Sequence, residues 1–408
     1  MWTLNASVKV EKETYVQVEN SYEVLMGRPD LGFLDLSNFK KSIDDCEGLA
    51  NFLEAKEQIV VIGVGGSSLG AKAVCESLFS NEYENKVCFL DNIDSDTIDS
   101  VINRIKNLEK VGWIICSKSG STIEVLSLFD YCKQAIEEKH NISIVENSLV
   151  ITEEKISPLF DFAIHNKRPM LHIPLETGGR FSVFSPIGLF PLQFLNFNNA
   201  LAFKGFKKIV EDKKMVCDLA AQMFASHRRG EDLFYTFQYS DRLGQWSLWL
   251  QQLWSESLGK AVQRNGKPAP KVANLVPCKG ASDQHSVLQQ LTEGAGAKFT
   301  CFHRVGSSEA GNYQIKKSLF SESLMESQPI GKLLQVEAEA TEKAIQESHS
   351  HTMVLKTQEL DEESLSYLMG LWMLSVGVLG ELLNVNAFDQ PGVESGKAIA
   401  RRVLSQSR

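Results

Sequence analysis

The chain has 408 residues, which fits two or three globular domains, and its 43% hydrophobic and 23% charged residues are typical of a protein with a large apolar core. Its formal net charge of -9 disfavours a nucleic-acid-binding protein, because such domains carry a basic surface. No uninterrupted run of 18 apolar residues is present to span a bilayer, and the N-terminus lacks the basic and apolar regions of a secretion signal. We therefore expect a cytoplasmic protein with no membrane or nucleic-acid partner.

The cysteines and histidines show neither a disulfide pattern nor a metal-binding pattern. The eight cysteines are scattered, mostly in apolar runs, and no two of them form a C-x-x-C pair, which predicts buried, reduced thiols. His349 and His351 form an H-x-H pair, but two alternating histidines without further ligands are more typical of a solvated face. We expect no metal site.

The first half of the chain alternates between strand-like and helix-like runs. Short apolar runs rich in β-branched residues predict buried strands at 59–64, 86–90, 112–116 and 148–152. Helical spacing of apolar residues predicts helices near 70–79, 95–108 and 122–138. This rhythm is typical of a parallel sheet covered by helices on both faces.

A second series of the same kind follows a linking stretch at 178–228, whose first part is rich in glycine and proline. Its predicted strands lie at 233–237, 271–276, 298–303 and 352–356, and its predicted helices lie near 244–258, 284–292, 324–346, 362–384 and 393–405. The two series predict an α/β protein with two three-layer α/β/α sandwich domains, parallel sheets and C-terminal helices. The halves could be distant duplicates, although the pattern alone does not establish this.

A cluster of polar side chains lies where the third predicted strand leads into a helix. The sequence SKSGSTIEVLS (117–127) places Ser117, Lys118, Ser119, Ser121 and Thr122 around one glycine. At such a turn the free backbone N–H groups and the helix dipole attract an anion, and hydroxyl groups can donate to phosphate oxygens. A serine-rich helix cap would give the same pattern, so the turn alone does not decide between the two.

The first predicted strand leads into a glycine-rich loop, GVGGSSLG (63–70). Glycines let the backbone approach a ligand closely, and the following helix offers its N-terminal N–H groups. A dinucleotide site is the obvious alternative, but the spacing departs from G-x-G-x-x-G, and only Asp91 follows the second strand as a ribose ligand would. Together with the hydroxyl turn, the loop predicts a sugar-phosphate cleft at the carboxyl ends of parallel strands.

Six sequence blocks, in family order, resemble the glucose-6-phosphate isomerase family in its shorter bacterial form. They are GVGGSSLG, SKSGSTIE, GGRFSVFSPIGLFP (178–191), QQLWSESLGK (251–260), SDQHSVLQQL (282–291) and DQPGVESGK (389–397). Thr177 departs from the aliphatic residue that usually precedes Gly-Gly-Arg, and Ser68 replaces a common aspartate. Neither position is expected to carry chemistry.

The resemblance implies a fold, an assembly and an activity. Members of the family have two sugar-isomerase (SIS) domains, use no cofactor and act as dimers or assemblies of dimers. We accordingly assign 1–45 to an N-terminal segment, 46–185 to the first SIS domain, 186–384 to the second, and 385–408 to a C-terminal active-site segment and helix. The implied reaction is the reversible isomerisation of glucose 6-phosphate and fructose 6-phosphate through a cis-enediolate, in glycolysis and gluconeogenesis.

The resemblance also assigns the acid–base chemistry. Glu256 matches the family's base, which moves a proton between C2 and C1 of the sugar, and Gln252 lies one helical turn earlier on the same face. Arg180 resembles the arginine that stabilises the charge of the enediolate, with Gly179 beside it at a turn where the backbone can come close.

Further residues are implied for ring opening and substrate binding. His285 and Lys397 match the family's ring-opening residues, and the equivalent of His285 reaches into the neighbouring subunit's site. A homodimer with shared active sites is therefore expected. The expected substrate contacts are Gly66, Ser67, Ser117, Lys118, Ser119, Ser121, Thr122, Gly179, Gln252 and Gln390, with the phosphate held by the serines and threonine of the 117–122 turn.

Two other functions are compatible with parts of this pattern. A SIS-domain regulator that binds sugar phosphates without converting them would keep the hydroxyl turn but would not need the four catalytic residues together. A bifunctional phosphoglucose/phosphomannose isomerase would also accept mannose 6-phosphate, although such enzymes usually lack the Gly-Gly-Arg block.

Overall fold

A computed structural model describes residues 1–80, 82–306, 310–320 and 323–406, and within these ranges the chain forms ten strands and sixteen α-helices. The strands are β1 (Thr3–Ala6), β2 (Gln58–Ile62), β3 (Val87–Leu90), β4 (Val111–Cys116), β5 (Ser148–Thr152), β6 (Met170–His172), β7 (Leu233–Tyr239), β8 (Asn274–Lys279), β9 (Lys298–Val305) and β10 (His351–Thr357).

The helices in these ranges are α1 (Lys12–Met26), α2 (Leu36–Gly48), α3 (Asn51–Glu54), α4 (Leu69–Phe79), α5 (Tyr83–Lys86), α6 (Ser95–Arg104), α7 (Ile123–His140), α8 (Pro158–His165), α9 (Pro186–Gln193), α10 (Asn199–Glu211), α11 (Lys213–Arg228), α12 (Gly244–Leu258), α13 (Gln284–Thr292), α14 (Ile330–Glu347), α15 (Glu362–Leu382) and α16 (Gly392–Gln406).

The first sheet is entirely parallel, with the strand order β3-β2-β4-β5-β6. Every residue of β4 and β5 is buried, because separate apolar clusters cover the two faces of the sheet. Strand β3 pairs with one side of β2, and the chain then crosses back so that β4 pairs with the other side of β2. The carboxyl ends of β2 and β4 therefore lie side by side at the point where the strand order reverses, which is where open α/β sheets bind ligands.

The second sheet has the order β1-β10-β9-β7-β8. Strands β7 to β10 are parallel, and β1 from the N-terminal segment pairs antiparallel to β10 at the edge. The first strand of this series, β7, lies between the second (β8) and the third (β9), as β2 lies between β3 and β4. The two halves thus share one strand order.

The predicted α/β fold with two parallel sheets and flanking helices is confirmed, and each of the eight predicted strands overlaps an observed one. The sequence did not predict β1 and β6, because they have four and three residues and only one buried position between them. Helices α9, α10 and α11 occupy the stretch that we interpreted as a link. The proposed domain limits stay a prediction.

Contacts between α4 and α12 join the two halves of the chain. The Ser77 hydroxyl donates to the carbonyl of Arg242 at 2.8 Å, and Arg242 Nε donates back to the carbonyl of Ser77 at 2.6 Å. The backbone N–H of Gln245 donates to the carboxylate of Glu76. These bonds hold the start of α12 against the helix that follows the glycine-rich loop, and so fix α12 relative to that loop.

Helix α15 is the one helix in the described ranges that is long and apolar enough to cross a membrane. In this fold 89% of an 18-residue apolar stretch of the helix is buried inside the protein. Helices α10, α11, α1 and α12 pack around it. It begins at a capping box formed by Asp361 and Ser364. The helix is therefore the central core helix of the second half.

Candidate active site

The hydroxyl groups of the 117–122 turn form one connected network. Ser117 Oγ lies 2.9 Å from Thr122 Oγ1, and Ser119 Oγ lies 3.5 Å from the same atom. The hydroxyl and the backbone N–H of Ser121 both donate to Ser119 Oγ, at 3.2 and 3.3 Å. Thr122 is the N-cap residue of the 18-residue helix α7, and no backbone N–H of that helix bonds to its side chain. The hydroxyl groups therefore surround a helix N-terminus, a position that favours a phosphate.

The backbone of this turn requires a glycine at its centre. Gly120 has φ +62°, and a Cβ at this position would lie 2.0 Å from Ser157 Oγ. Lys118 Nζ lies 3.5 Å from the Glu153 carboxylate, and the Thr152 hydroxyl donates to the Lys118 carbonyl at 3.3 Å. The last residue of β5, Thr152, and the residue after it, Glu153, thus hold Lys118 in place within the turn. The expected contact of Lys118 with substrate stays a prediction.

The glycine-rich loop packs directly on the Gly-Gly-Arg turn. A Cβ at Gly66 would lie 2.3 Å from the carbonyl carbon of Gly179 and 2.7 Å from the backbone nitrogen of Arg180. The Ser182 hydroxyl donates to the Gly179 carbonyl at 2.6 Å. The neighbouring Ser67 is almost fully buried in a short 3-10 turn after β2. Only glycine at position 66 allows this approach of two backbones.

Arg180 lies at the centre of the site and its side chain is completely buried. Its Nε donates to Ser257 Oγ at 2.7 Å, and its Nη1 donates to Gln390 Oε1 at 2.8 Å and to Glu256 Oε2 at 3.3 Å. Its Nη2 donates to the carbonyl of Asp389 at 2.9 Å and to that of Ala387. Burial lowers the pKa of Arg180 below its usual value, although the nearby carboxylates of Glu256 and Asp389 oppose this effect.

Glu256 is the carboxylate at this centre, and 28% of its side chain is exposed. Besides the contact with Arg180, its Oε1 accepts a hydrogen bond from Gln252 Nε2 at 3.1 Å. Gln252 lies one turn earlier on α12, as predicted, and its Oε1 is buried without a hydrogen-bond partner in the described residues. Each carboxylate oxygen is thus held by one donor, and a substrate hydroxyl could donate to the unpaired oxygen of Gln252.

Two residues that the sequence analysis did not assign also belong to this centre. Lys260 Nζ lies 2.9 Å from Asp389 Oδ1, and only 6% of the lysine side chain is exposed. Burial lowers the pKa of Lys260, and the bond to Asp389 opposes this shift. Lys260 and Asp389 each lie at the end of a sequence block that we quoted, but nothing in the sequence showed that the two blocks meet. The pair fastens the C-terminal segment to the end of α12.

The remaining predicted residues lie on other elements. Gln390 lies in the loop before α16, within hydrogen-bond distance of Arg180, and Lys397 lies on α16. His285 lies in the first turn of α13, beside the second sheet, and its side chain is exposed. The structure thus brings Arg180, Gln252, Glu256 and Gln390 together and brings the four hydroxyls together in the 117–122 turn, whereas His285 is directed to solvent.

No group of three or more His, Cys, Asp or Glu side chains that could hold a metal ion occurs within the described ranges. All eight cysteines are free thiols, and seven of them are buried. The polar groups described at the centre are instead a guanidinium, an ammonium, two amides, two carboxylates and hydroxyls. This set can bind a phosphorylated, hydroxylated ligand and exchange protons with it.

The chain is similar in sequence to a family of known proteins. The family model described as phosphoglucose isomerase matches residues 35–408. A glucose-6-phosphate isomerase of Campylobacter jejuni is 32% identical over 391 residues, which cover 92% of this chain and 92% of that protein.

Two solved structures are similar over nearly the whole chain. A hypothetical protein of Thermus thermophilus superposes with a TM-score of 0.87 at 29% identity, covering 98% of this chain and 100% of that one. A glucose-6-phosphate isomerase of Chlamydia trachomatis superposes with a TM-score of 0.83 at 21% identity, covering 100% of this chain and 89% of that one, and shows the same fold.

Gly120→Ala should destabilise the protein more than Gly230→Ala. Both glycines have positive φ, a left-handed backbone conformation that alanine disfavours. Each substitution should therefore lower the free energy of unfolding by about 1 kcal/mol. At position 120 the new methyl group also collides with Ser157, which adds about 1–3 kcal/mol, whereas at position 230 no atom lies within 4 Å. Urea unfolding of the two variants measures the difference, and equal losses would contradict the described geometry of the turn.

Proposed function

The chain belongs to the phosphoglucose isomerase family, and from this premise we propose how its residues interconvert glucose 6-phosphate and fructose 6-phosphate. The observation that carries the proposal is the carboxylate of Glu256, held by Arg180 and Gln252 and still partly exposed. An aldose–ketose isomerase needs one base that can reach both C1 and C2 of the open sugar. Glu256 is that base in our proposal.

The phosphate of the substrate binds at the 117–122 turn. The hydroxyls of Ser117, Ser119, Ser121 and Thr122 donate to its oxygens, and the N-terminus of α7 favours its charge. The backbone of Gly66 and the side chain of Ser67 lie on the adjacent loop, between this turn and Arg180. Phosphate bound here anchors one end of the sugar and leaves the other end for the residues of α12.

The closed ring opens before isomerisation. His285 and Lys397 take the proton from the C1 hydroxyl and supply one to the ring oxygen as the C1–O5 bond breaks. The histidine is suited to this step because imidazole exchanges protons near neutral pH. The product is the open-chain aldehyde, with its C2 hydrogen made acidic by the neighbouring carbonyl.

Glu256 then moves the proton. Its carboxylate removes the hydrogen from C2, and the electron pair forms the C1–C2 double bond of a cis-enediolate, with the negative charge on oxygen. The protonated carboxyl returns a proton to C1, while the proton of the C2 hydroxyl transfers to the C1 oxygen, which gives the ketose. Arg180 supplies a fixed positive charge beside this carboxylate, where it lowers the energy of the charged intermediate.

The active enzyme in this proposal is a homodimer with shared sites. His285 is exposed on the second half of the chain, so it is available to a neighbouring subunit. Large apolar side chains are also exposed elsewhere in the second half of the chain, at Leu319 (95%), Phe320 (81%) and Leu324 (93%). Exposed apolar groups of this size are typical of a surface that a partner covers, and a second copy of this chain is the partner that we propose.

A SIS-domain regulator that binds sugar phosphates without converting them is the weaker alternative function. A binding protein needs the hydroxyl turn, but it has no use for a carboxylate held between two donors at the other end of the ligand. We propose a cytoplasmic enzyme that uses no nucleic acid or membrane, which fits the net charge of -9 and the eight free thiols. Whether mannose 6-phosphate is also converted is decided by assaying it directly.

Ser119→Ala and Thr122→Ala should raise KM more than they lower kcat. Each removes a hydroxyl that donates to a charged phosphate, a loss of about 1.5–3 kcal/mol. The phosphate does not react, so this binding is lost about equally from the ground state and the transition state. Steady-state kinetics in both directions measure the effect, with Ser100→Ala on the surface of α6 as the control. An unchanged KM with a collapsed kcat would refute the assignment of the turn.

Glu256→Gln should lower kcat by roughly 10²–10⁴-fold or more, since the amide keeps the shape but cannot take up the proton. The amide oxygen can still accept from Arg180, and Gln252 can turn its unpaired Oε1 towards the new NH₂ group. Substrate should therefore bind nearly as before. A coupled assay without added metal, with Glu211→Gln as the exposed control, checks this. Near-normal kcat would exclude Glu256 as the base.

Mixing Glu256→Gln with His285→Ala chains should restore activity. In a mixed dimer with shared sites, one site combines the intact Glu256 and the intact His285, and the other lacks both. Random mixing makes half of the dimers mixed, so the unsorted sample should reach about a quarter of the wild-type activity, and mixed dimers isolated through both tags should reach about half. Co-expression of two differently tagged chains and purification through both tags tests this directly. Mixed dimers without activity would show that both residues act in the same subunit.

A further inference from the structure

A large cavity in the described structure does not contain the residues of the active site. Its volume is about 590 Å³, within the range of small-molecule sites. It lies at the carboxyl end of the second sheet, between the ends of β7 to β10 and one face of α14. Neither Arg180, Glu256 nor the hydroxyl turn lines it.

Each of the four parallel strands brings one cationic side chain to this cavity. Lys279 ends β8, Arg304 is the last residue but one of β9, Lys356 holds the same place in β10, and Arg242 follows β7 by three residues. In the register of the sheet, Lys356 pairs with Arg304 and Arg304 pairs with Tyr239. Arg304 and Lys356 therefore lie side by side at the carboxyl end of the sheet, and Lys279 and Arg242 line the same cavity.

The carboxylates in the lining do not balance these charges. Among the described residues of the lining, Asp241 and Glu339 are acidic, against four cations. Lys279 Nζ lies 3.0 Å from Asp241, and Arg304 bonds to Glu342 at 2.6 Å and lies 3.7 Å from Glu339. Arg242 is instead held by the carbonyls of Ser77 and Leu360. With Glu342 counted, three carboxylates face the four cations among the described residues, which leaves an excess of one positive charge although the whole chain is negative.

One donor at this site has no partner. Arg304 Nε is buried and makes no hydrogen bond within the described residues, although its Nη2 is bonded to the carbonyl of Ala338 at 3.0 Å. A buried N–H group without a partner costs free energy. The side chain is 13% exposed and fixed by its ion pairs, so the guanidinium is preorganised.

The position of the cavity also matches that of the phosphate turn in the first sheet. The two sheets share one strand order, and β7 and β9 correspond to β2 and β4, whose carboxyl ends carry the glycine-rich loop and the hydroxyl turn. Ligands bind at this strand-order reversal in open α/β sheets. The second half of the chain thus repeats the geometry of an anion site with arginine and lysine in place of hydroxyl groups.

We propose that this cavity is a second anion site, separate from the active site, that binds a small organic phosphate. Two arginines and two lysines suit a ligand with more than one negative charge, because guanidinium groups bind phosphate oxygens in pairs and ammonium groups act as point charges. The volume admits a sugar phosphate or a molecule of similar size. This proposal does not depend on the assignment of catalytic residues.

Binding of radiolabelled inorganic pyrophosphate to the full-length protein tests the proposal by equilibrium dialysis. The wild type should bind two pyrophosphates per chain, one at each sheet. Lys279→Ala/Lys356→Ala should weaken one of them by at least about tenfold, which corresponds to about 1.4 kcal/mol. Both lysines have largely exposed side chains, so this variant should fold.

Two further variants identify which of the two sites has lost its pyrophosphate. Lys207→Ala/Lys343→Ala removes the same charge from exposed helix positions outside the cavity and should keep both sites. Ser119→Ala/Thr122→Ala should weaken the active-site pyrophosphate and leave the other. Pyrophosphate binding that Lys279→Ala/Lys356→Ala leaves unchanged, or equal weakening by the two lysine pairs, would overturn the proposal, whereas the loss of a single wild-type site in this variant would support it.

Discussion

The buried guanidinium of Arg180 is the interaction on which the site depends. It bonds to α12 through Ser257 and Glu256, and to the C-terminal segment through Gln390 and the carbonyls of Asp389 and Ala387. A buried charge is costly unless it is paired and hydrogen-bonded, so these partners have to remain in place for the protein to keep the charge inside. The need to satisfy one arginine thus fixes the position of the Glu256 carboxylate relative to the C-terminal segment.

The topology of the first sheet positions the other part of the site, which consists of the glycine-rich loop and the hydroxyl turn. The reversal of strand order places the loop after β2 beside the turn after β4, and the absence of a side chain at Gly66 lets that loop contact the Gly-Gly-Arg turn. One ligand can therefore meet a helix N-terminus at one end and a carboxylate at the other. The bonds between Ser77 and Arg242 hold α4, which follows the glycine-rich loop, against the start of α12, which carries Glu256.

Much of this could be predicted from the sequence, because its signals are local. The apolar runs predicted eight strands, and the resemblance of six blocks predicted Arg180, Gln252, Glu256 and Gln390, which the structure brings together. The pairing of Lys260 with Asp389 could not be predicted, since it depends on how two distant blocks meet. The edge strands β1 and β6 were also missed, because short strands at the edge of a sheet have few buried positions. The cavity of the second sheet could not be predicted either, because its cations come from the ends of four separate strands that only the fold brings together.

The central claim is that Glu256 carries a proton between C2 and C1, and isotope exchange tests it most directly. Fructose 6-phosphate converted in D₂O should give glucose 6-phosphate with deuterium at C2, because a partly exposed carboxyl exchanges its proton with solvent. NMR of the product after many turnovers measures the incorporation, and Glu256→Gln should abolish it. A product with no deuterium at C2 would mean that hydrogen moves between the carbons without a base, and undiminished exchange in the variant would mean that another residue is the base.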